Sequence, residues 1–451
     1  MIWLIAFVSS ITGFLFGFDE GIISGVLATI QEDFQLDSYK TGFMMGLLPF
    51  GALAAACVTG RLSDWIGRRY VLYLVAIIFA AATIGIVITN SFAVLCIMRL
   101  GLGISIGMSV VVTPLYIAET APSTIRGKLV ACFQLAITVG ILASYLTNWF
   151  IVGEFPWRWV FALGLIPSII LFIGLFFLPE SPRWLYTHGK KREACDILLK
   201  VSKTQESYEE IEEDLSLMED IEIKEKKTNA FQELFSKKFS PTLVLGIGLF
   251  FFQQVSGINA VIYYAPTIFN RMRIGSDATE LLATVGLGTI NVLMTLVAMR
   301  WVEKMGRRHL LILGFVGVIV SLGVIAFTTY FAGDSLQWIS AIALFLFIAA
   351  FAVSIGPLPY ILASEVFPMK ARGLGMSMSA ISNWGFSTLV VASFPILLKE
   401  FGISSVFLMY AIASILGLLY AIRYTPETRG ISLENIEEHL LAGKPLRKLG
   451  R

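Results

Sequence analysis

The 451 residues are 56% apolar and only 15% charged, with 34 basic against 32 acidic side chains and a formal net charge of +2. A mean hydropathy of +0.78 is too high for a water-soluble core of this length, because soluble domains carry about 25% charged residues. The near-neutral balance has no basic stripe to hold nucleic acid, and the four cysteines fit no metal or disulfide spacing and read as small buried hydrophobes.

About 20 apolar residues cross a bilayer as a helix, and such stretches recur along almost the whole chain. In chain order they predict spans at 2–30, 41–61, 70–89, 92–115, 128–150 and 157–178, then 241–270, 279–300, 309–331, 337–364, 374–398 and 404–424. The first run has no basic leader and no small-residue cleavage site, so it is expected to stay as a span. Between the two sets lies 183–240, with 13 acidic and 11 basic residues in mixed order, expected to form short amphipathic helices at the membrane surface. The expected organisation is an N-terminal bundle over 1–182, a linker over 183–240, a C-terminal bundle over 241–425 and a tail over 426–451.

Lys and Arg counting gives the orientation. The connections 61–69, 126–128, 183–240, 300–308 and 370–372, with the tail from Arg423, hold 28 of the 34 basic residues, and the opposite connections hold five. Both termini and the linker are therefore expected in the cytoplasm. The halves also repeat. Asp64-Trp65-Ile66-Gly67-Arg68-Arg69 after span 2 matches Glu303-Lys304-Met305-Gly306-Arg307-Arg308 after span 8. Glu119, Pro122, Arg126 and Gly127 match Glu365, Pro368, Arg372 and Gly373, and Pro179-Glu180 matches Pro426-Glu427. The three offsets are 239, 246 and 247 residues, so one six-helix unit occurs twice. Parallel duplicated halves around a midplane site describe a rocking transporter.

The Asp/Glu-x-x-Gly-Arg-Arg loops, Pro-Glu-Ser-Pro-Arg-Trp-Leu at 179–185, Pro-Glu-Thr-Arg-Gly at 426–430 and Gln253-Gln254-Val255-Ser256-Gly257-Ile258-Asn259 with Tyr263-Tyr264 resemble the signatures of the sugar porters of the major facilitator superfamily. The resemblance covers nearly the whole chain. It implies an all-α membrane protein, with twelve transmembrane helices in two six-helix bundles and a cytoplasmic helical linker. Its substrates would be hexoses, pentoses or polyols.

A neutral sugar needs amides, each giving a donor and an acceptor, and an aromatic face for the apolar side of the ring. Gln253, Ser256, Asn259 and Tyr263 fall on one side of span 7 at helical spacing. Gln254 points elsewhere on an ideal helix, but Ser256-Gly257 could loosen the turn and let it converge. By resemblance, Gln134, Gln253, Gln254, Asn259, Asn291 and Asn383 match sugar-binding positions. The family's usual Trp in span 10 is Tyr360 here, in Gly356-Pro357-Leu358-Pro359-Tyr360; the hydroxyl leaves the preferred sugar open. Pro357 and Pro359 break the helical ladder and make span 10 a bending gate.

Only Asp19, Glu20 and Arg99 are ionisable residues well inside spans, where a charge is costly and marks function with a partner to be named. The histidines, His188, His309 and His439, fall on the cytoplasmic side, against a histidine relay. By resemblance, Asp19 is the proton site of proton-coupled porters and Arg99 its partner; protonating Asp19 would release Arg99 and permit closure. Glu20 is unusual, facing water in the outer vestibule or titrating as a second group. Gly13, Gly17, Gly21 and Gly25 recur every four residues and are expected to pack against another helix. At the cytoplasmic side, Asp64, Arg68 and Arg69 are expected to meet Glu119, Arg126 and Glu180, and Glu303, Arg307 and Arg308 to meet Glu365, Arg372 and Glu427, as an interbundle latch.

The function expected is monosaccharide or polyol:proton symport by alternating access, in a multi-pass protein of the cell membrane working as a monomer. A facilitative uniporter stands second, and a transport-dead sensor third because only 26 residues follow Thr425. No metal cluster, cofactor motif or nucleophile–base set points to an enzyme.

Overall fold

The computed structural model describes residues 2–121, 125–201, 231, 234–236, 238–331, 336–368, 371–431, 433–442 and 444–449. Among the described residues, eleven helices are long and apolar enough to cross a membrane. The last, Arg372–Tyr424, turns at Gly402, whose φ of 74° and ψ of 167° end one helix and start the next, so it supplies spans 11 and 12. Glycine takes that positive φ without a Cβ clash. With no water in the bilayer, helices that satisfy their own backbone are the natural way to cross it.

Spans 1 to 6 run Ile2–Asp33, Ser38–Ile66, Arg68–Ile88, Phe92–Thr120, Gly127–Ile151 and Trp157–Phe177. Short helices Pro182–Thr187 and Lys191–Val201 follow; linker residues 202–230, 232, 233 and 237 lie outside the described residues. Span 7 is Ser240–Tyr263, continued by Ala265–Arg271, and spans 8 to 10 are Asp277–Met305, Arg307–Phe331 and Gln337–Val366.

The chain divides into two compact units, Met1–Asp19 with Leu47–Ile141 and Arg158–Asn229, and Glu20–Gly46 with Leu142–Trp157 and Ala230–Arg451. In the second unit, segments of spans 2 and 5 pack directly on second-half helices. The Tyr145 hydroxyl donates to the Ile262 carbonyl at 2.9 Å, and Gly42 lies against the backbone of Ala392. The glycine stripe of span 1 packs as expected: Gly13 and Gly17 lie against Phe133 and Ile137 in the first unit, and Gly25 against Asn148 in the second. A side chain at Gly17 would overlap the Ile137 carbonyl. The cysteines do not all follow the expectation. Cys96 and Cys195 are buried, but Cys57 is exposed, because a small side chain on an apolar helix can equally face outward.

Candidate functional site

Span 7 stops at Val255, and Gly257 takes a left-handed φ of 88° before the helix restarts at Ile258. The Tyr410 ring occupies the space a Cβ on Gly257 would need, so conformation and packing both require glycine here. This break swings Gln254 into line with residues beyond it. Gln254 Nε2 donates to Asn383 Oδ1 at 2.6 Å, and Asn259 Nδ2 donates to Gln254 Oε1 at 2.9 Å and to Ser387 Oγ at 2.6 Å. Asn383 Nδ2 in turn donates to the Tyr360 hydroxyl at 3.4 Å, and the Phe250 ring stands edge-on to Tyr360 at 4.6 Å. A chain of neutral donors and acceptors thus joins spans 7, 10 and 11, as a hydroxyl-rich, uncharged ligand requires.

Not every expected amide enters it. Gln253 Nε2 donates instead to the Ile355 and Gly356 carbonyls of span 10. Asn291 is half-buried on span 8 and makes no hydrogen bond to these amides among the described residues, and Gln134 is exposed on span 5 in the first unit. Ser387 was not foreseen, although its place one helical turn beyond Asn383 was the available signal.

In the first unit, Arg99 Nη1 lies 3.0 Å from Asp19 Oδ2 and 3.3 Å from Oδ1, with side chains 0% and 2% exposed. Two charges so far from water persist together only because each compensates the other. Glu20 does not face water as expected. It is 4% exposed, belongs to the second unit, and its charge acts on Tyr145 and Tyr360. Adjacent residues on a helix point about 100° apart, so Asp19 and Glu20 meet different neighbours.

The repeated loops form two matching clusters, each inside one unit. Arg68 makes a fork on Glu119, at 2.9 and 3.0 Å, and an ion pair with Asp64 at 3.0 Å; Arg307 reaches Glu365 at 2.8 Å and Glu303 at 3.1 Å. The Ser181 hydroxyl donates to Glu119 and the Thr428 hydroxyl to Glu365. These pairs therefore join loops of the same half, and the expectation of a latch between bundles is not met by them. Glu180 and Glu427 also differ from expectation. They take backbone N–H groups: Arg68, Arg69 and Ser181 donate to Glu180, and Arg307, Arg308 and Arg429 to Glu427. Spans 3 and 9 begin after Gly67 and Gly306 with free N–H groups, and a carboxylate is the acceptor such a terminus favours. Burial pushes the Glu180 carboxyl up, against the pull of these N–H groups and of Arg68. The guanidinium of Arg69 binds the Leu175 and Phe176 carbonyls, and that of Arg308 the Ile422 and Thr425 carbonyls. Arg372 donates to the Phe367 carbonyl at 3.5 Å, and the Arg126 side chain lies outside the described residues.

The sequence model of the family described as "Sugar (and other) transporter" matches residues 5–440. The chain belongs to this sugar transporter family. It is 38% identical to the glucose transporter GlcP of Staphylococcus epidermidis, over 97% of each chain. Against the galactose-proton symporter of Escherichia coli the identity is 34%, over 100% of this chain and 97% of the relative. The inward-open structure of the xylose transporter XylE from E. coli superposes with a TM-score of 0.84 at 28% identity, over 97% of this chain and 99% of XylE. This family member accordingly has the major facilitator fold, a multi-pass membrane architecture of twelve spans.

Proposed function

We propose that this family member carries a monosaccharide or polyol together with a proton, by alternating access of two six-helix bundles. The observation that carries the proton half is the Asp19–Arg99 pair, closed off from solvent inside two spans. A carboxylate there must be paired or neutral, so proton binding and ion pairing compete at one place. The sugar half rests on the amide chain of Gln254, Asn259 and Asn383, with Gln253, Gln134, Asn291 and Tyr360 as further ligands; names of relatives that include glucose, galactose-proton and xylose transport support it. We read 1–182 and 241–425 as the bundles, with both termini and the linker 183–240 in the cytoplasm, on the excess of Lys and Arg there. The charge clusters around Arg68 and Arg307 would stiffen the cytoplasmic face of each bundle, so that each moves as one piece. A monomer in the cell membrane suffices for this cycle.

The direct test is uptake of labelled sugars by proteoliposomes, with and without an imposed pH gradient. Gradient-driven accumulation is the expected result, and equilibration without accumulation would assign a facilitative uniporter instead. Replacing Gln134 or Gln253 by Ala should each weaken sugar binding at least tenfold, about 1.4 kcal/mol. Two variants that bind like the parent would remove the amide cluster from the site. Tyr360→Trp replaces a hydroxyl by a larger stacking face, and is expected to change the relative affinities for hexose, pentose and polyol while transport continues. An unaltered competition profile would put Tyr360 outside the pocket.

A further inference from the structure

Span 10 carries a backbone irregularity whose repair comes from span 7. The π-helical turn Phe351–Ile355 closes with the Gly356 N–H on the Phe351 carbonyl at 2.9 Å, and prolines follow at 357 and 359. Such turns inside α-helices cluster at functional sites. The α-helical donor to the Ile355 carbonyl would be residue 359, and proline has no N–H to give. Buried carbonyls are nearly always paired. Here the donor is Gln253 Nε2, 2.9 Å from the Ile355 oxygen and 2.8 Å from that of Gly356. The Gln253 side chain is 3% exposed, and its Oε1 has no hydrogen-bond partner among the described residues. One planar amide thus has its nitrogen committed to span 10 and a buried acceptor still to be filled.

We propose that Gln253 is the positioning residue of span 10 as well as a sugar ligand, so that sugar occupancy and bending at 356–359 are coupled through a single side chain. This rests on the amide-cluster reading given above. A sugar hydroxyl donating to Oε1 polarises the amide and strengthens its N–H donors, which tightens the turn it holds. If the amide rotates to give Nε2 to the sugar instead, both bonds to span 10 break together. Oxygen and nitrogen share one plane, so neither can move without the other.

Deuterium uptake across 351–362, measured on the full-length protein in lipid nanodiscs with D-glucose, D-galactose and D-xylose in parallel, tests the coupling. In the parent, the sugar that binds should slow uptake in this segment. Gln253→Glu keeps the volume and an oxygen but removes both N–H donors; it should speed sugar-free uptake there at least threefold and cancel the response to sugar. Adding Pro359→Ala supplies the missing backbone N–H, and should return uptake towards the parent rate while sugar binding stays weak, a rescue that loss of packing alone would not give. Should the carboxylate prevent folding, Gln253→Met lacks the same donors and is read the same way. Weakened binding with parent-like uptake in 351–362 overturns the coupling but leaves the amide site standing. Parent-like binding in both Gln253→Glu and Gln253→Ala overturns the amide site itself.

Discussion

Asp19→Asn is expected to collapse sugar accumulation against a pH gradient to an inside-to-outside ratio of about one, while exchange of labelled for unlabelled sugar continues. One pH unit is worth about 1.4 kcal/mol, a tenfold concentration ratio. At one proton per sugar, a gradient of about two units would therefore support a ratio of about 100 in the parent. Asparagine keeps the shape of the protonated acid but cannot release a proton. Arg99 would then lose the carboxylate 3.0 Å away, so the ion pair that competes with the proton is gone as well. Both assays belong in the same vesicles. A variant that still concentrates sugar would move the proton elsewhere. Glu20, which is buried and whose charge acts on Tyr145 and Tyr360, is then the next residue to substitute. Arg99→Ala is the complementary change. It leaves a carboxylate buried without its cation, a loss of about 3–5 kcal/mol when one partner of a buried pair is removed, and should lower the unfolding temperature together with accumulation.

Glu180→Ala is expected to be among the most destabilising single changes on the cytoplasmic face. The carboxylate accepts from the backbone N–H groups of Arg68, Arg69 and Ser181, and it is 9% exposed. Each buried donor left without a partner costs about 1–3 kcal/mol, and three are affected, two in the first turn of span 3 and one at Ser181. Loss of the helix-terminus charge adds to this. The expected result is a fall of about 5 °C or more in the detergent-solubilised unfolding temperature. Glu180→Gln, which keeps one acceptor oxygen, should recover part of it. Glu427→Ala should behave alike, since Glu427 accepts from Arg307, Arg308 and Arg429. Unfolding temperatures equal to the parent's in both alanine variants would mean that water replaces these acceptors at no cost.

Twelve spans and a duplicated half could be read from the sequence because the bilayer imposes a simple rule, about 20 apolar residues per crossing with positive charge on one side. The same solvent narrowed the intramembrane charges to Asp19, Glu20 and Arg99, since in hydrocarbon a charge needs a partner, and the family resemblance named Asp19 and Arg99 as the pair. Partner choice in the loops was a different matter. Three carboxylates, Asp64, Glu119 and Glu180, stand with Arg68 in the repeated loops, and composition alone cannot say which meets a guanidinium and which a helix terminus. The structure gives Glu119 to the Arg68 side chain and Glu180 to the backbone, because Gly67 turns the chain so that the N–H groups of span 3 face Glu180.

The amide site divides in the same way. Helical spacing put Gln253 and Asn259 on one side of span 7, and the family resemblance added Gln254 and Asn383, neutral amides of the kind a polyhydroxylated ligand calls for. Tertiary structure decided how they are used. The left-handed Gly257 brought Gln254 onto Asn383, the prolines of span 10 drew Gln253 to a carbonyl 102 residues away, and of the two readings of Glu20 the water-facing one gave way to burial. Sequence by itself determined which groups must be satisfied inside the membrane, because that follows from the solvent. Which group satisfies which was settled only by folding, because hydrogen bonds reach about 3 Å and depend on where distant helices bend.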